Sequence, residues 1–123
     1  MQFIISMSLV LASIIHLLPL SGVLGGKRLE QLYGVAISDR NTEILLRHRA
    51  VLFGLLGLLL AAAALYSALR TLAFGAGLAS TISFLGIARM SGGYNGQFSR
   101  VIAADILAIA ALVVGSVLHA LFS

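Results

Sequence analysis

Four long apolar runs, separated by one polar segment and two short breaks, set the pattern of this chain. The first, Phe3 to Leu24, matches the ~20 residues needed to cross the hydrocarbon of a bilayer. Met1-Gln2 carries no basic start and no A-x-A cleavage site follows, so this run is expected to be a retained span and not a signal peptide. Pro19 within it predicts a kink and leaves the Ile15 carbonyl without its usual donor. Gly25 to Asn41 is the only substantial polar segment. Gly25-Gly26 should end the first helix, and Leu29 to Val35 predicts a short helix at the membrane surface. Asp39 or Asn41 then offers an N-cap, with Glu43 in the favourable first turn.

The second helix is predicted over 41–69, with its membrane part near Ala50 to Leu69, and a connection at Arg70-Thr71 leads to a third over 72–90. The stretch Ser91 to Gln97 is rich in turn formers. A fourth helix follows over about 99–121. The expected fold is all-α: one domain, 1–123, forming an integral membrane antiparallel four-helix bundle.

Stepping each helix at about 100° per residue gives one inward stripe apiece. They are Gln2, Ser6, Ser13 and His16; then Glu43, Arg47, Ala50, Gly54, Gly57 and Ala61. The third helix offers Gly75, Ala79, Gly86 and Arg89, and the fourth Val101, Asp105, Ala108, Leu112, Gly115 and His119. Small residues at this spacing let membrane helices approach closely. His48 and Arg49 fall off the shared face and are assigned to lipid headgroups, with Lys27 and Arg28.

Composition supports the membrane reading. With 60% hydrophobic residues, 10% charged and a mean hydropathy of +1.09, the chain has too little polar surface for a soluble domain of 123 residues. It has no Cys, which excludes disulfides, thiolate metal sites and cysteine nucleophiles. A net charge of +4 in a soluble protein would point to nucleic acid, but here the basic residues flank apolar runs and act as topology signals. Lys27, Arg28, Arg40, Arg47, Arg49, Arg89 and Arg100 lie at one end and Arg70 alone at the other. The expected location is a bacterial inner membrane, multi-pass, with both termini periplasmic.

Candidate chemistry gathers on the same stripes. At ~1.5 Å per residue, Asp105 falls roughly 9 Å and His16 about 12 Å inside the cytoplasmic boundary. The expected site is a cluster of His16, Arg47, Arg89, Asp105 and Glu43, with Tyr94 and Asn95 above. A carboxylate at that depth calls for a partner, so Asp105 is expected to pair with Arg89 or Arg47. Haem between His16 and His48 is ruled out by a depth difference of roughly 15 Å. The glycine loop 92–96 lacks P-loop spacing and the following Lys. No metal motif, nucleophile elbow or paired carboxylate is present, so neither metal nor cofactor is expected.

The Arg at the start of the second helix, Gly86-Ile-Ala-Arg89-Met-Ser91, the glycine loop and the early acid of the fourth helix resemble the DoxX-like small membrane proteins. That resemblance implies a four-helix bundle that often serves membrane redox or thiol chemistry as an accessory. Asp105 stands where relatives often have Glu. His16 to Gly25 and Leu45 to Gly54 also resemble small bacterial proteins labelled phosphopantetheine adenylyltransferase. The soluble enzyme of that name needs an α/β nucleotide fold, which four apolar spans do not supply.

The leading expectation is a non-enzymatic bundle that binds a lipid, quinone-like or other amphiphilic ligand, or docks onto a larger membrane complex. A membrane enzyme acting on a lipid or thiol conjugate and a proton-coupled transporter of small solutes are the alternatives. A homo-oligomer is compatible with four short helices, and the bilayer is the expected surrounding.

Overall fold

The computed structural model describes residues 1–92 and 95–122, with Gln97 by its backbone alone. Helix α1 runs Gln2–Leu17 and continues as a 3-10 segment, Leu18–Leu24, that carries Pro19. Proline removes a backbone donor and crowds the preceding turn, and the chain tightens here to 3-10 geometry. Helix α2 is Gly26–Tyr33, α3 is Arg40–Leu65, α4 is Arg70–Met90 and α5 is Gly96–Phe122. Among the described residues, four segments are long and apolar enough to cross a membrane: Gln2–Leu24, Arg40–Leu65, Ser67–Met90 and Phe98–Phe122.

Helix α3 starts where a side chain caps it. Asp39, in extended backbone, accepts from the Asn41 amide at 3.2 Å and from the Thr42 hydroxyl at 3.2 Å. Its end lies earlier than the sequence predicts. Tyr66 is extended (φ −119°, ψ 105°), and a 3-10 turn, Ser67–Leu69, feeds α4, so 66–69 is connection and not helix. The surface helix α2 is shifted from the expected 29–35. It is bounded by two glycines with positive φ, Gly25 at 137° and Gly34 at 66°, where a side chain would be strained.

Helix α1 packs on α3 and α5, and α4 packs on the same two helices. Along each contact the residue numbers rise on one helix as they fall on the other. Ser6 meets Ala64 and Ser13 meets Gly57 between α1 and α3, while Thr71 meets His119 and Phe84 meets Phe98 between α4 and α5. The apolar core fills the half nearer the termini, with Ile5, Leu9, Leu60, Ala63, Phe74 and Leu112 buried together. Small residues permit this closeness. A β-carbon on Gly57 would stand 2.7 Å from Leu17 Cγ, and one on Gly115 would overlap Ser8 Oγ and lie 2.8 Å from the Phe74 ring.

The central parts of the α1, α3 and α5 stripes face inward, with Ser13, His16, Ala50, Gly54, Gly57, Ala108, Leu112 and Gly115 buried, while Gln2 and Arg47 at the stripe ends are exposed. Helix α4 is turned. Gly75, Ala79, Gly86 and Arg89 face outward, and Ala73, Phe74, Gly77 and Thr81 face in. Apolar side chains lie on its exposed side as well, with Leu72, Ile82 and Ile87 outward, so hydrophobicity does not set the rotation, and a second phase of small residues prevails.

Candidate functional site

The other half of the bundle is built differently. Around Arg49, at the start of the apolar part of α3, lie three aromatic rings. The guanidinium carbon is 4.4 Å from the ring centroid of Phe53, 5.1 Å from Phe84 and 5.4 Å from Tyr33, and Nη1 donates to the Tyr33 hydroxyl at 2.6 Å. Arg49 and Phe53 are four residues apart on α3 and so share a face. Phe98 of α5 closes the aromatic wall, 5.6 Å from Tyr33 and 6.1 Å from Phe84 between centroids.

Tyr33 is the last residue of α2 and only 5% exposed. Its position is fixed from below and above. Glu43 Oε1 accepts from the Gly26 amide at 3.1 Å, tying the start of α2 to α3. Gly34 in the left-handed region returns its amide to the Glu30 carbonyl at 2.8 Å, and Glu30 Oε1 accepts from the Ile37 amide at 2.8 Å. Asn95 Nδ2 donates to the carbonyls of Tyr33 and Gly34, each at 3.0 Å, while its Oδ1 accepts from the Phe98 amide at 2.9 Å and caps α5. One asparagine therefore joins the end of α2 to the start of α5.

These groups border a partly open cavity of about 650 Å³, within the range of small-molecule sites. Val35, Leu46, Ile87 and Ala88 supply its apolar lining. Arg49 is the one charged residue among its described lining residues. A guanidinium has five N–H donors, and the Tyr33 hydroxyl is the single hydrogen-bond acceptor that Arg49 uses among the described residues. Tyr33, accepting from Arg49, keeps its own O–H to donate. Two donor groups thus converge on the cavity.

The residues expected to cluster are spread over several places. Arg47 is exposed, and its Nε donates to the Val23 carbonyl at 2.9 Å, satisfying the end of the 3-10 segment. Glu43 serves α2, as described. Arg89 is exposed on the outward face of α4, carried there by the rotation of that helix. Asp105 pairs with neither; it is half-buried in a separate cleft of about 280 Å³ with Arg100, Gln31, Pro19 and the other side of Tyr33. The guanidinium that acts on Asp105 electrostatically is that of Arg49.

His16 is 2% exposed and places Nδ1 2.8 Å from the Ala12 carbonyl, so Nδ1 carries the proton and Nε2 stands buried without a partner. Its ring lies 5.8 Å from Phe53 and so adjoins the aromatic group around Arg49 from inside the bundle. Tyr94 lies outside the described residues. Asn95 is thus the one expected site residue that lines the cavity.

The pattern singles out none of Tyr33, Phe84 and Phe98, and it assigns Arg49 to lipid headgroups, whereas the structure sets Arg49 among Phe53, Phe84 and Tyr33 at the cavity. Helix α3 touches α1 on one side and α4 on another, so its buried arc is wider than one stripe. Arg49 and Phe53, one residue before Ala50 and Gly54, fill the part that faces α4. The Arg49-x-x-x-Phe53 spacing, which puts a cation and an aromatic ring on one face, is the signal in the sequence that could have revealed it.

No family model matches the chain, and no curated protein or solved structure matches it.

Proposed function

We propose that this chain is a bilayer-inserted antiparallel four-helix bundle that binds an amphiphilic ligand, with Arg49 and Tyr33 gripping the polar head. The four apolar segments support insertion, and the concentration of basic residues at the loop end supports a bacterial inner membrane with both termini periplasmic. The observation that carries the binding role is the guanidinium of Arg49. It is held among aromatic faces at the wall of a 650 Å³ cavity, with most of its donors unspent. A structural arginine spends its donors on the protein, as Arg70 does; Arg49 leaves them for a guest. The DoxX-like resemblance enters the proposal as a shared architecture only, and docking on a larger complex is compatible with it.

Native mass spectrometry of protein released directly from its membranes tests this reading. A small molecule retained at one per chain, and lost in Arg49→Gln but kept in the outward Arg89→Gln, is the expected result. A bare protein, or the same molecule retained by Arg49→Gln, overturns it.

A further inference from the structure

The cavity at Arg49 has a polar inventory short enough to name the head group. Asn95 lines it, but its amide is used by the carbonyls of Tyr33 and Gly34 and by the Phe98 amide. Ser91 lines it too, and its hydroxyl donates to the Ile87 carbonyl at 2.8 Å. What remains for a guest is one cation and one hydroxyl donor, on groups 2.6 Å apart. No acid lines the cavity among the described residues, so an ammonium head has no counter-charge there. A phosphomonoester, approaching two negative charges near neutral pH, would leave one unbalanced in an apolar surround. Sugar or glycerol hydroxyls could accept from Arg49 and Tyr33, but they bring no charge to balance the guanidinium.

A carboxylate fits each of these limits. It is a monoanion with two oxygens side by side, one for a charge-assisted bond from the guanidinium and one for the Tyr33 hydroxyl, and bonds to an ionised acceptor are about twice as strong as neutral ones. The remaining wall is aliphatic and aromatic and suits a single hydrocarbon chain. Resting on the amphiphile reading above, we infer that the cavity is a site for a long-chain fatty carboxylate, with Arg49 and Tyr33 holding its two oxygens.

The test compares four probes on delipidated full-length protein in nanodiscs: hexadecanoate, hexadecanol, palmitoyl-lysophosphatidylglycerol and decylubiquinone. Hexadecanoate should bind at one per chain. Arg49→Gln should weaken it about tenfold to a hundredfold, as expected for a lost charge-assisted hydrogen bond, and Tyr33→Phe by a few-fold. Arg49→Lys, which keeps the charge but not the guanidinium, should fall between. Tyr33→Phe removes a single hydroxyl and guards against a folding artefact at Arg49. If the lysolipid or the quinone binds more tightly than hexadecanoate in an Arg49-dependent way, the carboxylate inference is overturned and the amphiphile reading stands. If no probe binds, or binding ignores Arg49→Gln, both fall.

Discussion

The end of the bundle opposite the cavity holds a buried arginine whose removal can be costed from its partners. Arg70 is 5% exposed, and no acid takes part in its bonds. Its Nε donates to the Ala63 carbonyl at 3.2 Å, Nη1 to Gln2 Oε1, and Nη2 to Ser6 Oγ at 3.0 Å. Ser6 in turn donates to the Ala64 carbonyl at 3.0 Å. Tyr66 supplies an amide for Ala62, so Ala63 and Ala64 are the next carbonyls of α3 left without a helical donor. Arg70 and Ser6 satisfy both, and a cation there also complements the helix dipole.

Replacing Arg70 by Met keeps apolar volume and removes every donor. The Ala63 carbonyl is then buried and unpaired, which costs about 1–3 kcal/mol. Loss of the dipole interaction adds on the order of 0.5–1 kcal/mol. Gln2 is exposed and finds water, and Ser6 keeps its bond to Ala64, so these two add little. Relief of guanidinium desolvation works in the other direction and offsets part of the loss. The net expectation is a destabilisation of about 2 kcal/mol, measured by helical circular dichroism along an SDS titration in mixed micelles. Gln2→Ala should stay under about 0.5 kcal/mol, in line with an exposed polar change. Arg70→Met combined with Ser6→Ala should be non-additive, since the two side chains share one network. An Arg70→Met protein as stable as the parent, or a Gln2→Ala change as large as Arg70→Met, would refute this account of the helix end.

Two glycines should respond in opposite directions to the same substitution. Gly115→Ala drives a β-carbon into Ser8 and the Phe74 ring and should destabilise by about 1–3 kcal/mol, whereas Gly75→Ala meets nothing within 4 Å and should be neutral or gain up to about 1 kcal/mol from helix propensity; the same micelle titration reads both. Asp39→Ala removes the cap of α3 and should cost about 1 kcal/mol, seen as faster amide exchange at Asn41 and Thr42 than at the helix centre. Asn95→Ala releases the two carbonyls at the end of α2, and should raise amide exchange over 26–34 while leaving the core around Leu9 and Leu60 protected.

The extent to which the sequence disclosed this arrangement follows from how apolar its helices are. Length and apolarity locate the four long helices within a few residues, because runs long and apolar enough to cross a bilayer stand out whatever their packing. The cap at Asp39 and the turn glycines are legible because they are local backbone chemistry. Rotation about the helix axis is the quantity that hydropathy leaves undetermined, and α4 shows the consequence. Its outward Gly75 and Ala79 are four residues apart, as are its inward Ala73, Gly77 and Thr81. The same ambiguity hid Arg49, one residue from the small-residue seam of α3, and made Arg47 and Arg89 the natural partners for a deep acid. Charge counting misdirects in a related way. Arg47, Arg49 and Arg70 are equal as topology signals, yet Arg47 satisfies a nearby carbonyl, Arg70 serves a helix end, and Arg49 faces a cavity. What separates them is the acceptor each meets: Arg47 spends one donor on the Val23 carbonyl, Arg70 spends three at a helix end, and Arg49 spends one on the Tyr33 hydroxyl. Which carbonyls call for a donor depends on what the 3-10 segment and the break at Tyr66 leave unpaired. That demand is therefore a property of the chain's interruptions, and the apolar pattern of the spans is silent about it.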